Sequence, residues 1–461
     1  MKTVFSLTSL CAALLLAGCA QAPRQETPST PTSAAFKEAP PGWLNAAPAD
    51  ALERGPWWAL FNDPALTALM DRVAVSNQNV AASAAAYAQA QAAVREQRAS
   101  LFPSLGLSAG ASRSGGGETS ANSRYTLGLS GSWEPDLWGR LRGGVDSAGA
   151  RAQASAADLA AATLSAQGEL ATSYFSLRET DAEAQMLRKT IEGYEQAARI
   201  TQNRYNAGVV PRSDLLQAQT QLSNARADLA GLDRQRAQLE HAMAVLVGEA
   251  PANFSVPAVE WTWPALPAVP GVLPSALLQR RPDVAAAERR VAAANASIGV
   301  ARAAFFPDFS LSGNYGLGSA KLGDLFSASA VTWSLGLSVV QTLFDAGARS
   351  ARVDEAKASW EQSVAQYRQA VLIAFQDVED QLAAVRILEQ QEALRRQASE
   401  AADLTEQQVM NRYQAGQVGY SDVVIAQITA LSTRRSLAQA VANRQTAAVG
   451  LIRALGGGWK S

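Results

Sequence analysis

Hydrophobic and polar positions along this chain follow two periods that alternate twice. Leu105, Leu107, Ala109 and Ala111 alternate with Ser104, Gly106, Ser108 and Gly110, and Tyr125, Leu127 and Leu129 alternate with Thr126, Gly128 and Ser130. Further on, Phe309, Leu311 and Tyr315 alternate with Ser310, Ser312 and Asn314, and Trp333, Leu335, Leu337 and Val339 with Ser334, Gly336 and Ser338. A period of two predicts strands with one apolar face and one small, polar face, and Gly115-Gly116-Gly117 predicts the first turn between them.

Around these strands Ala, Leu, Gln and Arg recur at helical spacing. Asp63-Pro64 supplies a cap and a first-turn proline for one helix over 63–100, ended by Phe102-Pro103, and Arg281-Pro282-Asp283 opens its counterpart, ended by Phe306-Pro307. Two longer helices are predicted over 142–204 and 346–412, each roughly 95–100 Å long at 1.5 Å per residue. Leu159, Leu164, Leu170, Phe175 and Leu177 among many alanines predict coiled-coil-like packing against partner helices. Gly208 and Gly416 stop the long helices, and Ser213-Asp214 and Ser421-Asp422 are expected to cap returning helices over 214–247 and 422–455.

The chain is built twice. Arg204-Tyr205-Asn206-Ala207-Gly208 returns as Arg412-Tyr413-Gln414-Ala415-Gly416, and Leu127-Gly128-Leu129-Ser130 as Leu335-Gly336-Leu337-Ser338, each 208 residues on. Leu101-Phe102-Pro103 similarly recurs as Phe305-Phe306-Pro307. Three blocks in the same order define a duplicated fold.

The N-terminus indicates location. Met1-Lys2 precedes an apolar stretch too short to span a bilayer, followed by Leu16-Ala17-Gly18-Cys19, the pattern of a bacterial lipoprotein signal in which Cys19 is lipidated and becomes the mature N-terminus. Ala20 follows, the pattern of export to the outer membrane. The Pro-, Ala- and Ser-rich stretch from Cys19 to about Pro56 is expected to be an extended, poorly packed tether. Cys11 and Cys19 are the two cysteines, so no disulfide is expected.

Composition argues against catalysis and nucleic-acid binding. The 461 residues carry 40 basic and 41 acidic side chains, which leaves no basic footprint, and one histidine, which leaves little material for metal or nucleophile chemistry. That residue, His241, sits in a helical run and reads as a surface or packing side chain. No catalytic, cofactor or metal-binding residue is assigned.

Four strands cannot close a barrel, and lipid tolerates no open sheet edge. Inserted strands therefore require an oligomer. Eight strands leave a filled interior and twelve begin to leave a passage, which favours a trimer over a dimer.

Asp63-Pro64-Ala65-Leu66, the run Arg281-Pro282-Asp283-Val284-Ala285-Ala286-Ala287-Glu288-Arg289 through Ala303-Ala304-Phe305-Phe306-Pro307, and the doubled Arg-Tyr-x-Ala-Gly segments resemble the outer-membrane factor lipoproteins of tripartite efflux systems, of the NodT and OprM type. The resemblance spans nearly the whole mature chain. It implies an α+β membrane protein: a homotrimer with a TolC-like, twelve-stranded transmembrane β-barrel continuous with a periplasmic α-helical barrel. It divides the chain into a signal peptide (1–18), a lipidated tether (19–60), a first repeat (61–250), an equatorial linker (251–274) and a second repeat (275–461). It implies that Arg204, Tyr205, Gly208, Arg412, Tyr413 and Gly416 meet a periplasmic adaptor joined to a proton-driven inner-membrane pump of the RND type. Relatives gate the periplasmic end with polar residues about one turn beyond the tip, where this chain reads Val423-Val424-Ile425; Ser213, Asp214, Ser421 and Asp422 lie nearer the tip as gate candidates or helix-start residues. The implied function is a passive exit duct for drugs or other small molecules, anchored in outer-membrane lipid. A duct for protein secretion and a non-conducting envelope lipoprotein remain the alternatives.

Overall fold

A computed structural model describes residues 36–39, 56–117, 119–259, 263, 266–267 and 281–457, so Cys19 and much of the 251–274 linker lie outside the described residues. Its principal elements are α1 (Pro64–Ser76), α2 (Gln78–Ala99), β1 (Ser104–Gly116), β2 (Thr119–Trp133), α3 (Arg140–Asn206), α4 (Arg212–Leu246), α5 (Pro282–Ala303), β3 (Asp308–Ser319), β4 (Val331–Val340), α6 (Ala348–Gln414) and α7 (Tyr420–Ala454).

The duplication recurs in the helices. Helices α3 and α6 each have 67 residues, and α4 and α7 each have 35. All four start 208 residues from their counterparts, whereas β3 starts 204 residues after β1. The β3–β4 connection, with its short 3-10 turns at Leu322–Asp324 and Ala328–Ala330, absorbs the difference.

One expected helix is broken. Asp63 caps α1 as anticipated, its carboxylate accepting the Ala65 and Leu66 N–H groups at 2.9 and 3.1 Å. The segment 63–100 is nevertheless two helices, because Asn77 takes an extended backbone conformation and its side chain accepts from Asn79 and Val80 N–H while donating to the Leu246 carbonyl at 2.8 Å. A cap and a tertiary bond together outweigh continuation of the helix. The first hairpin turn is also tighter than expected: β1 runs through Gly116, and Gly117 takes φ +59°.

The four strands form one antiparallel sheet in the order β1-β2-β3-β4. Register aligns Leu107, Leu129, Tyr315 and Trp333 in one row, and Gly106, Ser130, Asn314 and Ser334 in the next. Successive residues point to opposite faces, so the alternation read from the sequence becomes an apolar wall backed by a small, polar one. On the polar face Ser108, Thr126, Ser130 and Thr332 donate to the carbonyls of Gly128, Gly110, Gly106 and Gly316 across the strands. Strands β1 and β4 each pair on one side only.

The chain forms two compact units, each drawing on both halves of the sequence. The first contains the sheet and, around it, Trp138 stacked on Phe306 at 4.9 Å with its indole N–H donating to the Pro307 carbonyl at 2.7 Å. The second holds the largest apolar core, built by Trp57, Phe61, Leu66, Met70, Tyr174, Phe175, Met243 and Ile452. There the Tyr174 hydroxyl donates to Asp63 at 2.7 Å, so the cap of α1 is locked onto α3.

Of the expected tether, the described residues 36–39 are seated on α6. Phe36 is 6% exposed, packed edge-on against Phe375 of α6, because an aromatic side chain within the polar stretch finds an aromatic partner.

Candidate functional site at the hairpin tips

Each tip ends in the same hydrogen-bonded stop. Gly208 N–H donates to the Tyr205 carbonyl and Val209 N–H to the Arg204 carbonyl; Gly416 and Gln417 repeat this on Tyr413 and Arg412. Gly208 and Gly416 take φ +72° and +74°, the left-handed conformation that such a Schellman stop requires. The returning helices start earlier than expected. Pro211 and Gly419 are the N-cap residues, neither with a side-chain cap, and Ser213, Asp214, Ser421 and Asp422 lie inside the first turn. They are therefore not the caps anticipated from sequence; Asp214 and Asp422 instead place negative charge where the helix dipole favours it.

The hairpins are tied by ion pairs that repeat at the 208-residue offset. Arg226 of α4 donates to Glu195 of α3 at 2.8 Å, and Arg434 of α7 donates to Asp403 of α6 at 2.7 Å. Arg236–Asp181 at 2.7 Å has its counterpart in Arg444–Glu389 at 3.6 Å. Between the hairpins, Arg435 of α7 reaches Glu183 of α3 and Asp228 of α4, each at 3.5 Å. These groups line a polar cavity of about 600 Å³ that also contains Glu179. Burial, then the charge of Glu183, pushes the Glu179 carboxyl up to about 7.

Paired by sequence, the two tips are not paired by environment. Tyr413 is 4% exposed, whereas Tyr205 is 37% exposed. The Tyr413 ring packs edge-on against Tyr420 at 5.4 Å and carries the Arg204 guanidinium over its face at 4.9 Å. The second tip is thus fastened to α3, with Ala197, Ala218 and Val423 completing the cluster. Arg412, Gly208 and Gly416 are exposed, as are Ser213, Ser421 and Asp422, while Asp214 is half-buried. Burial and the neighbouring hydroxyl of Tyr413 hold the Tyr420 phenol up at about 12, so it stays neutral. Sequence reading passed over Tyr420 and Arg435. For Tyr420 a signal was present, an aromatic opening α7 where the first repeat has Arg212. His241 is exposed on α4.

Comparison with known proteins follows the same division. The profile of the family described as "Outer membrane efflux protein" matches residues 69–249 and 273–457. The chain is 33% identical over 466 residues to the "Probable efflux pump outer membrane protein TtgC" of Pseudomonas putida, covering 98% of this chain and 96% of the relative. It is 30% identical over 456 residues to the "Cation efflux system protein CusC" of Escherichia coli, covering 98% and 99%. A crystal structure of CusC superposes with a TM-score of 0.86 at 28% identity, covering 95% of this chain and 99% of that one.

Proposed function

Because this chain belongs to the outer membrane efflux protein family, we propose that three copies close a twelve-stranded barrel in the outer membrane. The protein is the outer-membrane channel of a tripartite efflux pump and is not an enzyme. The observation that carries the trimer is the four-stranded sheet, apolar on one face, with β1 and β4 each unpaired along one edge. Open edges in lipid would cost several kcal/mol for each unpaired group, and pairing β4 of one copy with β1 of the next removes them all. Twelve strands, unlike eight, leave room for passage.

In this reading Cys19 carries the lipid that adds an anchor to the barrel. The polar face of Ser, Thr and Gly lines a wide lumen with few specific contacts, so cargo is chosen upstream by a proton-driven inner-membrane pump of the RND type. A periplasmic adaptor joins that pump to the tips, and the surface it meets is formed by Tyr205, Gly208, Arg412 and Gly416. Arg204 and Tyr413 support that surface from beneath, through their stacking contact. Asp214 and Asp422, with Ser213 and Ser421, set the charge at the periplasmic mouth. The export of small molecules is supported by the toluene, antibiotic and cation efflux named for the relatives. The test is single-channel conductance of the lipidated protein in a planar bilayer, with oligomeric mass determined in the same detergent. A trimer with discrete conductance steps is expected; an oligomer of another order, or one that never conducts, overturns the reading.

A further inference from the structure

Outside the tips, the most specific contact that channel formation leaves unexplained is made by the leader. Both oxygens of the Glu379 carboxylate on α6 are engaged by consecutive backbone N–H groups, Lys37 at 2.7 Å and Glu38 at 3.0 Å. About two turns further along α6, Arg386 donates to the Glu38 carboxylate at 2.5 Å. One turn back, Phe375 receives Phe36 at a ring separation of 6.3 Å. An aromatic contact, a carboxylate clamp and an ion pair therefore lie in a line along one helix, matched by three consecutive leader residues.

The first repeat has a counterpart. Arg178, which precedes Arg386 by 208 residues, donates to the Pro257 carbonyl at 2.9 Å, and Glu240 accepts the Val256 N–H at 2.8 Å. At the same level of each long helix an arginine meets an irregular segment, the one after α4 in the first repeat and the leader in the second; the carboxylate that joins it is Glu240 of α4 in the first and Glu379 of α6 in the second. The leader is fixed a second time on α3, where Trp57 donates to Gln167 at 3.4 Å and the Asp63 cap receives Tyr174.

We propose that Phe375, Glu379 and Arg386 form a docking site for the chain's own leader, and that the docked leader is a clasp holding α6 to α3 against the hairpin movement that opens the duct. Charge-assisted bonds to two backbone donors fix the geometry, while the Phe36 ring and the Glu38–Arg386 pair select the sequence. Phe36, Lys37 and Glu38 make the α6 end of the clasp, and Trp57 and Asp63 the α3 end.

The test combines hydrogen exchange with conductance on the full-length trimer. Two variants are used: Phe36→Ala with Glu38→Ala, which leaves α6 untouched, and Glu379→Ala, which removes the clamp. In the unsubstituted protein the Lys37 and Glu38 amides are expected to exchange at least tenfold more slowly than in an unstructured peptide. Glu379→Ala should abolish that protection, the leader variant should reduce it, and both should open several-fold more often while remaining trimeric. Unprotected amides in the unsubstituted protein overturn the docking site. Unchanged opening in a variant that has lost protection overturns the clasp. An unsubstituted protein that does not conduct fails the duct itself and is thereby told apart from either result.

Discussion

Replacing Gly208 separates helix termination from partner contact. Its φ of +72° is needed for the stop that ends α3, and no atom lies within 4 Å of the place where a Cβ would stand. Alanine there meets no neighbour in the chain, so its cost is the backbone term alone, about 1–2 kcal/mol for a left-handed L-residue. Asparagine enters that conformation more readily and is expected to cost less. Gly248 ends α4 at φ +73° with the Ser76 carbonyl where its Cβ would be, so Gly248→Ala should cost clearly more than Gly208→Ala. Denaturant unfolding followed by the helical signal measures all three. Equal losses at Gly208 and Gly248 would refute the assignment of the first to dihedral strain and the second to strain plus collision. Drug susceptibility of a strain relying on this channel supplies the functional half. If Gly208→Asn folds as well as the parent yet fails to support efflux, the bulk is sensed by a partner. Full efflux would remove Gly208 from the proposed adaptor surface.

Three other outcomes are expected. Glu179 has an ordinary carboxyl value of 4.5 when unfolded and about 7 when folded, so the folded state holds its proton more tightly; its contribution is fully present below about pH 4.5 and is lost as pH rises through 7. Glu179→Gln should therefore stabilise the protein by roughly 1–3 kcal/mol at pH 8 and leave it unchanged near pH 4, and equal gains at both would disprove the burial effect. On the apolar row Leu107→Arg should cost about 2–4 kcal/mol and abolish the heat-modifiable oligomer, whereas Gly106→Ser on the opposite face should assemble normally; equal behaviour would place the lipid on neither face. Arg236→Ala removes one of the two arginines on the buried Asp181, leaving Arg178 at 3.2 Å, and should cost roughly 1–3 kcal/mol in denaturant unfolding, against less than about 1 for Arg226→Ala, whose pair with Glu195 is exposed and salt-sensitive.

Local rules made the strands, the long helices and the glycine stops legible, because a period of two, a period of 3.6 and a positive φ are properties of a few neighbouring residues. The break at Asn77 was not legible, since half its reason is the Leu246 carbonyl 169 residues away. The docking of Lys37 and Glu38 was hidden for the same reason: a Pro- and Ser-rich context predicts a loose leader, and their partner carboxylate of Glu379 is more than 340 residues off. Helix starts slipped by two residues because Pro211 and Gly419 cap by backbone shape, while the sequence rule looks for a side-chain oxygen.

The repeat itself conceals the most about the tips. Duplication preserves geometry more faithfully than chemistry: Asn77 donates to the last carbonyl of α4 at Leu246, and at the corresponding place Arg281 donates to the last carbonyl of α7 at Ala454, at 3.4 Å. One anchor is a neutral amide and the other a cation bound to Asp283 and Asp377. Similar divergence explains why Arg204-Tyr205 and Arg412-Tyr413 read as equivalent yet present different surfaces. In the first tip the tyrosine is out and the arginine is stacked; in the second the arginine is out and the tyrosine is buried on Tyr420. A trimer built from this chain would alternate an aromatic tip with a cationic one around its mouth. In the proposed trimer, an adaptor engaging both tips would meet two different surfaces, although the sequence repeat suggests six identical ones.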